Sequence, residues 1–194
     1  MSAILYSLRS ALVVYRASCE GAAAAEFALF LTVLTIPVLN VVDLGYYTYQ
    51  KMQLENAALA GSEIARSFCN AKVPATDSVK CPGFNTAETN AITSTSLGGL
   101  VTPVAGFPIE AYYCALTTGG LQLVGTAGTM GSPPTPPTPN TCDAVANHSA
   151  ANGTRPSDYI RVSVSYTFTP VFGNVSVVAL LPTPIVKTTW ARLD

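Results

Sequence analysis

Charge is what this chain has least of. Asp, Glu, Lys and Arg make up 11% of the 194 residues, against roughly 25% in an ordinary soluble domain. The ten basic and eleven acidic residues nearly cancel, and the basic ones form no cluster. No long-range field gathers nucleic acid, and that partner is set aside. Histidine occurs once, as His148 in a polar stretch. A zinc set would therefore have to be built from cysteines, and no CxxC is present. No G-x-S-x-G, no Walker loop and no strand-borne GxGxxG occurs. These gaps exclude the common hydrolase, nucleotide-binding and metalloenzyme patterns, so no catalytic residue, metal ligand or cofactor is expected.

Apolar residues, by contrast, make up 49% of the chain, and they are concentrated. From Ala22 to Val42 the only ionisable side chain is Glu26. That run is long enough to cross about 30 Å of hydrocarbon as a helix. Pro37 lies inside it and removes one backbone donor. Thr32 and Thr35 are placed to bond back to carbonyls one turn earlier. Arg9 and Arg16 precede the run, which puts the N-terminus in the cytoplasm and the bulk of the chain outside. A carboxylate in such a span is costly and marks a functional residue.

The helical pattern continues past Asp43. Tyr47, Gln50, Leu54, Ala57, Gly61, Ile64 and Phe68 recur at three- and four-residue steps, the spacing of one helix face. Ala57, Ala58, Ala60 and Gly61 are small enough to admit another backbone. The chain thus reads as a leader over residues 1–21, a membrane helix over 22–43, an extension of the same helix over 44–69, and an exported domain over 70–194. The fold class is α+β.

Within the exported part, residues 158–169 alternate cleanly: Ile160, Val162, Val164, Tyr166 and Phe168 share one side. This is a half-buried strand. Residues 109–116 and 185–192 read as two more strands, and residues 175–181 as an apolar piece too short to span a membrane. The Pro/Thr run over 132–139 reads as extended loop outside any sheet interior. Of five cysteines, Cys19 falls on the leader side, and Cys69, Cys81, Cys114 and Cys142 fall beyond the span. An even four beyond a membrane points to two disulfides. Three connectivities are open. Cys69–Cys81 with Cys114–Cys142 is preferred because it closes the two shorter loops.

Gly21, followed by four residues and then by Glu26-Phe27 at the head of an apolar helix, resembles the type IV prepilin processing motif. The residues Ala23-Ala24-Ala25-Glu26-Phe27-Ala28-Leu29, and the stretch from Gln53 to Arg66, narrow it. They resemble the TadE/TadG-like minor pilins, or pseudopilins, of the tight-adherence (Flp) pilus. The resemblance implies cleavage between Gly21 and Ala22 by a prepilin peptidase. It implies that Glu26 pairs with the N-terminal amine of a neighbouring subunit, and that Glu26 and Phe27 belong to the assembly signal. The partners implied are other pilin and minor pilin subunits and inner-membrane lipid. The location implied is the bacterial inner membrane, single-pass with the C-terminal domain periplasmic, and then the pilus. The function implied is priming, capping or decoration of the filament, hence surface adhesion. The alternatives are a tip-located binding module using residues 99–157, or a plain anchored domain outside the membrane.

Overall fold

The computed structural model describes residues 20–69, 73–149, 151 and 153–194. Of the expected leader, residues 1–19, with Arg9, Arg16 and Cys19, lie outside the described residues.

The first element, α1, is a 49-residue helix, Glu20–Phe68. Ala, Leu, Glu, Gln and Met favour it towards both ends, while β-branched Val33, Thr35, Ile36, Val38, Val41 and Val42 fill its middle. It runs through Pro37 without changing class. The Thr32 and Thr35 hydroxyls donate to the carbonyls of Ala28 and Leu31 at 2.8 and 2.6 Å, in the turns just before the proline. The chain divides into two compact units, and α1 contributes to both. One unit holds α1 up to Tyr46 with Thr169–Leu181; the other is Tyr47–Phe168 with Pro182–Asp194.

In the second unit a five-stranded antiparallel sheet is built from β1 (Thr102–Pro103), β2 (Ile109–Ala115), β3 (Leu121–Thr129), β4 (Ser157–Tyr166) and β5 (Ile185–Arg192). The strand with the clearest alternation, β4, is central. It pairs with β5 over Tyr159 to Tyr166 and, on its other edge, with β2 and the short β1; β3 pairs with β2. Its Ile160, Val162 and Val164 are buried. The strand ends at Tyr166, so residues 167–169 of the expected strand lie beyond it. Phe168 is nonetheless buried, its ring 5.1 Å from that of Tyr47.

Leu54, Ala57, Ala58, Gly61 and Ala65 of α1 are buried. The expected stripe is therefore the packing face of this part of the helix, except that Phe68, in its last turn, is half exposed. Thr189 of β5 donates to the carbonyl of Ala58 at 2.9 Å, and Lys187 pairs with Glu55 at 2.9 Å.

A second helix, α2 (Phe84–Thr93), was not expected from the sequence. Its only long-range signal is Phe84, Glu88 and Ile92 at four-residue steps, all three buried. The carboxylate in the middle hides the apolar stripe. The strand β3 also exceeds the short apolar piece read at residues 121–124. It continues through Gly125 and Gly128, where any Cβ would run into the backbone of Thr135 and of Pro133 and Pro134. The Pro/Thr run lies along this strand: Thr126 and Thr135 exchange backbone bonds at 2.9 and 3.0 Å, and Thr129 and Ser132 exchange a pair at 2.8 Å. A proline-rich strap thus covers an edge that would otherwise invite pairing with another chain.

The disulfides are Cys69–Cys81 and Cys114–Cys142, each with Cα atoms 5.8 Å apart. The first links the residue after α1 to the core of Ala65, Phe84 and Ile160. The second anchors a smaller cluster with Val145 between β2 and the loop before β4. Residues 175–181 form short 3-10 turns, Gly173–Val175 and Val177–Leu180.

Candidate functional site

The residues singled out in the sequence lie at the start of α1. Gly21, Ala22, Glu26 and Phe27 are all helical and exposed, and Phe27 is 64% exposed. Exposure extends without interruption from Gly21 to Val38. A helix so apolar, with no buried side, is unlike a core helix of a soluble domain. Among the described residues α1 is one helix long and apolar enough to cross a membrane; its most apolar window has a mean hydropathy of 2.1 and is only 6% buried. The four ion pairs among the described residues involve none of these positions.

Further along the same unit, two polar side chains interrupt the apolar helix, and both are engaged. Asn40 sends Nδ2 to the carbonyl of Ile36 at 2.8 Å and accepts from the backbone N–H of Val177 at 2.6 Å. Asp43 is fully buried and accepts from the N–H groups of Val171 and Phe172 at 3.0 and 3.3 Å. These residues were not singled out in the sequence. The available signal was their position: an amide and a carboxylate, three apart and so on one face, at the end of an apolar run.

The second unit holds a pair of acids. Glu110 on β2 is fully buried. Its Oε2 accepts from both the N–H and the hydroxyl of Thr76 at 2.8 Å. On β4, Asp158 stands opposite Tyr112, two residues from Glu110, so the two acids are diagonal neighbours on one sheet face. Oε1 of Glu110 and Oδ1 of Asp158 are buried without a donor among the described residues. A proton between the carboxyl groups satisfies both. Burial, then the charge of Glu110, pushes the Asp158 carboxyl up to about 8. On α2, burial pushes Glu88 up to about 7.

Both groups bind protons more tightly folded than unfolded, so the stability they contribute is present at low pH and is lost as pH rises through 7 and 8. Asp77, held down chiefly by the N–H of Lys80, and Glu55, held down by Lys187, act in the opposite sense and lose their contribution below the ordinary carboxylate range. The thermal midpoint is therefore expected to be highest near pH 5 and several degrees lower at pH 8. Asp158→Asn, whose amide can donate to Glu110, is expected to flatten that decline; a melt series from pH 4 to 9 on both proteins checks it.

The lone histidine, His148, places Nδ1 3.0 Å from the carbonyl of Val145. Among the described residues no group of three His, Cys, Asp or Glu side chains is placed to hold a metal.

Comparison with known proteins bears on the helix alone. Residues 21–63 match the family model described as TadE-like protein. No curated protein and no solved structure matches the chain. The matched segment begins at Gly21, contains Glu26 and Phe27, and ends within the face that packs in the sheet unit. Over its N-terminal helix, this chain is similar to the TadE-like proteins.

Proposed function

We propose that the chain is a minor pilin, or pseudopilin, of a Tad/Flp-type pilus. In this reading it waits in the inner membrane as a single-pass subunit with its sheet domain in the periplasm. The prepilin peptidase cuts between Gly21 and Ala22, and the mature subunit joins other pilin and minor pilin subunits to prime, cap or decorate a filament. The observation that carries the reading is the exposed apolar helix within the segment matched to the TadE-like family. Such a surface needs either lipid or the helices of neighbouring subunits around it, and a pilin has each in turn. Glu26 is then the single charge in the buried filament core, paired with the ammonium that cleavage creates on an adjacent copy.

The test is the N-terminal residue of the protein isolated from its native host. Ala22 is expected, with the chain recovered from both the membrane and sheared pili. A chain retaining the residues before Ala22 overturns processing and leaves an anchored domain.

A further inference from the structure

The segment Thr169–Leu181 belongs to the same compact unit as the start of α1. From Pro170 to Val186 the sequence contains no Asp, Glu, Lys or Arg. Four of its apolar side chains point outward, with Val171, Val175 and Val177 55–60% exposed and Leu180 87% exposed, while Val178 is buried. On a loop in water this is an unfavourable arrangement.

The backbone of the segment is equally unlike that of a solvated loop. The N–H groups of Val171 and Phe172 donate to Asp43, and that of Val177 donates to Asn40. Those of Val175, Ser176, Ala179 and Leu181 donate to carbonyls three residues back, and that of Val178 to the hydroxyl of Ser176. A backbone next to water has no need of so complete a set. One that leaves water does, because each unpaired group in hydrocarbon costs several kcal/mol.

We propose that residues 170–181 are a second membrane-contacting element, which lies in the outer boundary of the bilayer where α1 leaves it. Asn40 and Asp43 are the clasp. They fix the loop at the helix level where the apolar run ends, and their own polar groups are satisfied by doing so. The exposed valines and Leu180 then continue the apolar surface of the span, in the manner of an interfacial element with an apolar face and a satisfied backbone. Lipid is the favoured occupant over a second protein because Asn40 and Asp43 tie the loop to the end of the span and the loop carries no charge to orient a partner. The inference rests on reading residues 22–43 as a membrane span.

The experiment uses the full wild-type chain in vesicles of phosphatidylcholine and phosphatidylglycerol. The probe is a phosphatidylcholine with a photoactivatable diazirine high on its acyl chain. After illumination, reduction and trypsin digestion, three peptides decide the matter: the span peptide ending at Lys51, the peptide from Cys81 to Arg161 (the Arg155–Pro156 bond resists trypsin), and the peptide from Val162 to Lys187 that contains the loop. Lipid adducts are expected on the span peptide and on the loop peptide, the latter at Val171, Val175, Val177 and Leu180. The loop peptide should be labelled at least several-fold above the middle peptide. A labelled span with a loop peptide no more labelled than the middle one overturns the loop inference alone. An unlabelled span overturns the membrane reading with it.

Discussion

A Glu26→Ala chain is expected to enter the membrane, fold its sheet domain and yield no filaments. The side chain is exposed on α1, remote in sequence from both disulfides and all the strands, so its removal touches nothing that holds the second unit together. Removing a carboxylate from an apolar helix also eases insertion. What the substitution takes away is the proposed partner of a neighbour's N-terminal ammonium. Leaving one member of a buried ion pair unpaired costs about 3–5 kcal/mol, on the order of a hundredfold or more in the equilibrium for docking a subunit. Glu26→Gln keeps the shape and loses the charge, and it should behave like the alanine variant. Glu26→Asp keeps the charge on a shorter stem and should recover part of the filament yield. Piliation is read by electron microscopy and by the sheared fraction; resistance to alkaline extraction reports insertion, and mobility without reductant reports the disulfides. Normal piliation in the Ala and Gln variants, with the chain present at wild-type levels, rules out the assembly role given to Glu26.

How much of this was legible beforehand differs along the chain. The apolar span follows from its length and composition, its continuation to Phe68 from apolar residues at three- and four-residue steps, and the central strand from the alternation of Ile160, Val162 and Val164, all three buried; Ile185–Arg192 reads as a strand from composition, without clean alternation. What periodicity missed has a common cause: polar residues doing structural work inside the fold. Glu88 interrupts the apolar stripe of α2. Glu110 sits fully buried on β2 because Thr76 and Asp158 receive it. Asn40 and Asp43 read as the end of a hydrophobic run and are in fact the clasp of Thr169–Leu181, a contact spanning more than 120 residues of sequence. The Pro/Thr run reads as an extended loop, and composition does not reveal that Gly125 and Gly128 leave room for it against β3. Of the helix-start residues the sequence indicated the pattern and the family; their exposure follows from the structure.

The small face of α1 leads to the second large effect, a loss of stability of about 3 kcal/mol on Gly61→Leu. Ala57, Ala58 and Gly61 suit the close approach of another helix, and the sequence alone leaves open whether that helix belongs to a neighbouring subunit. In the structure the face is already taken. A Cβ placed on Gly61 would meet Cγ1 of Ile92 at 3.0 Å and Cγ1 of Val162 at 3.1 Å. The neighbours are a helix and the central strand of the chain's own domain. Two effects oppose each other for Gly61→Ala. Alanine gains about 1 kcal/mol over glycine in a helix interior, and its single carbon forces the two branched side chains back by a few tenths of an ångström. The net change is expected to be small. Leucine adds three more carbons with no void to receive them, since Ile92 and Val162 are both buried, and overpacking outweighs the helix gain. Urea unfolding of the two variants should therefore separate them sharply, with Ala near wild type and Leu unfolding at much lower denaturant. If Leu were tolerated equally, the face would be open and available to another subunit. With it closed, Ala57, Ala58 and Gly61 are taken up by the chain's own domain and are not available to another subunit.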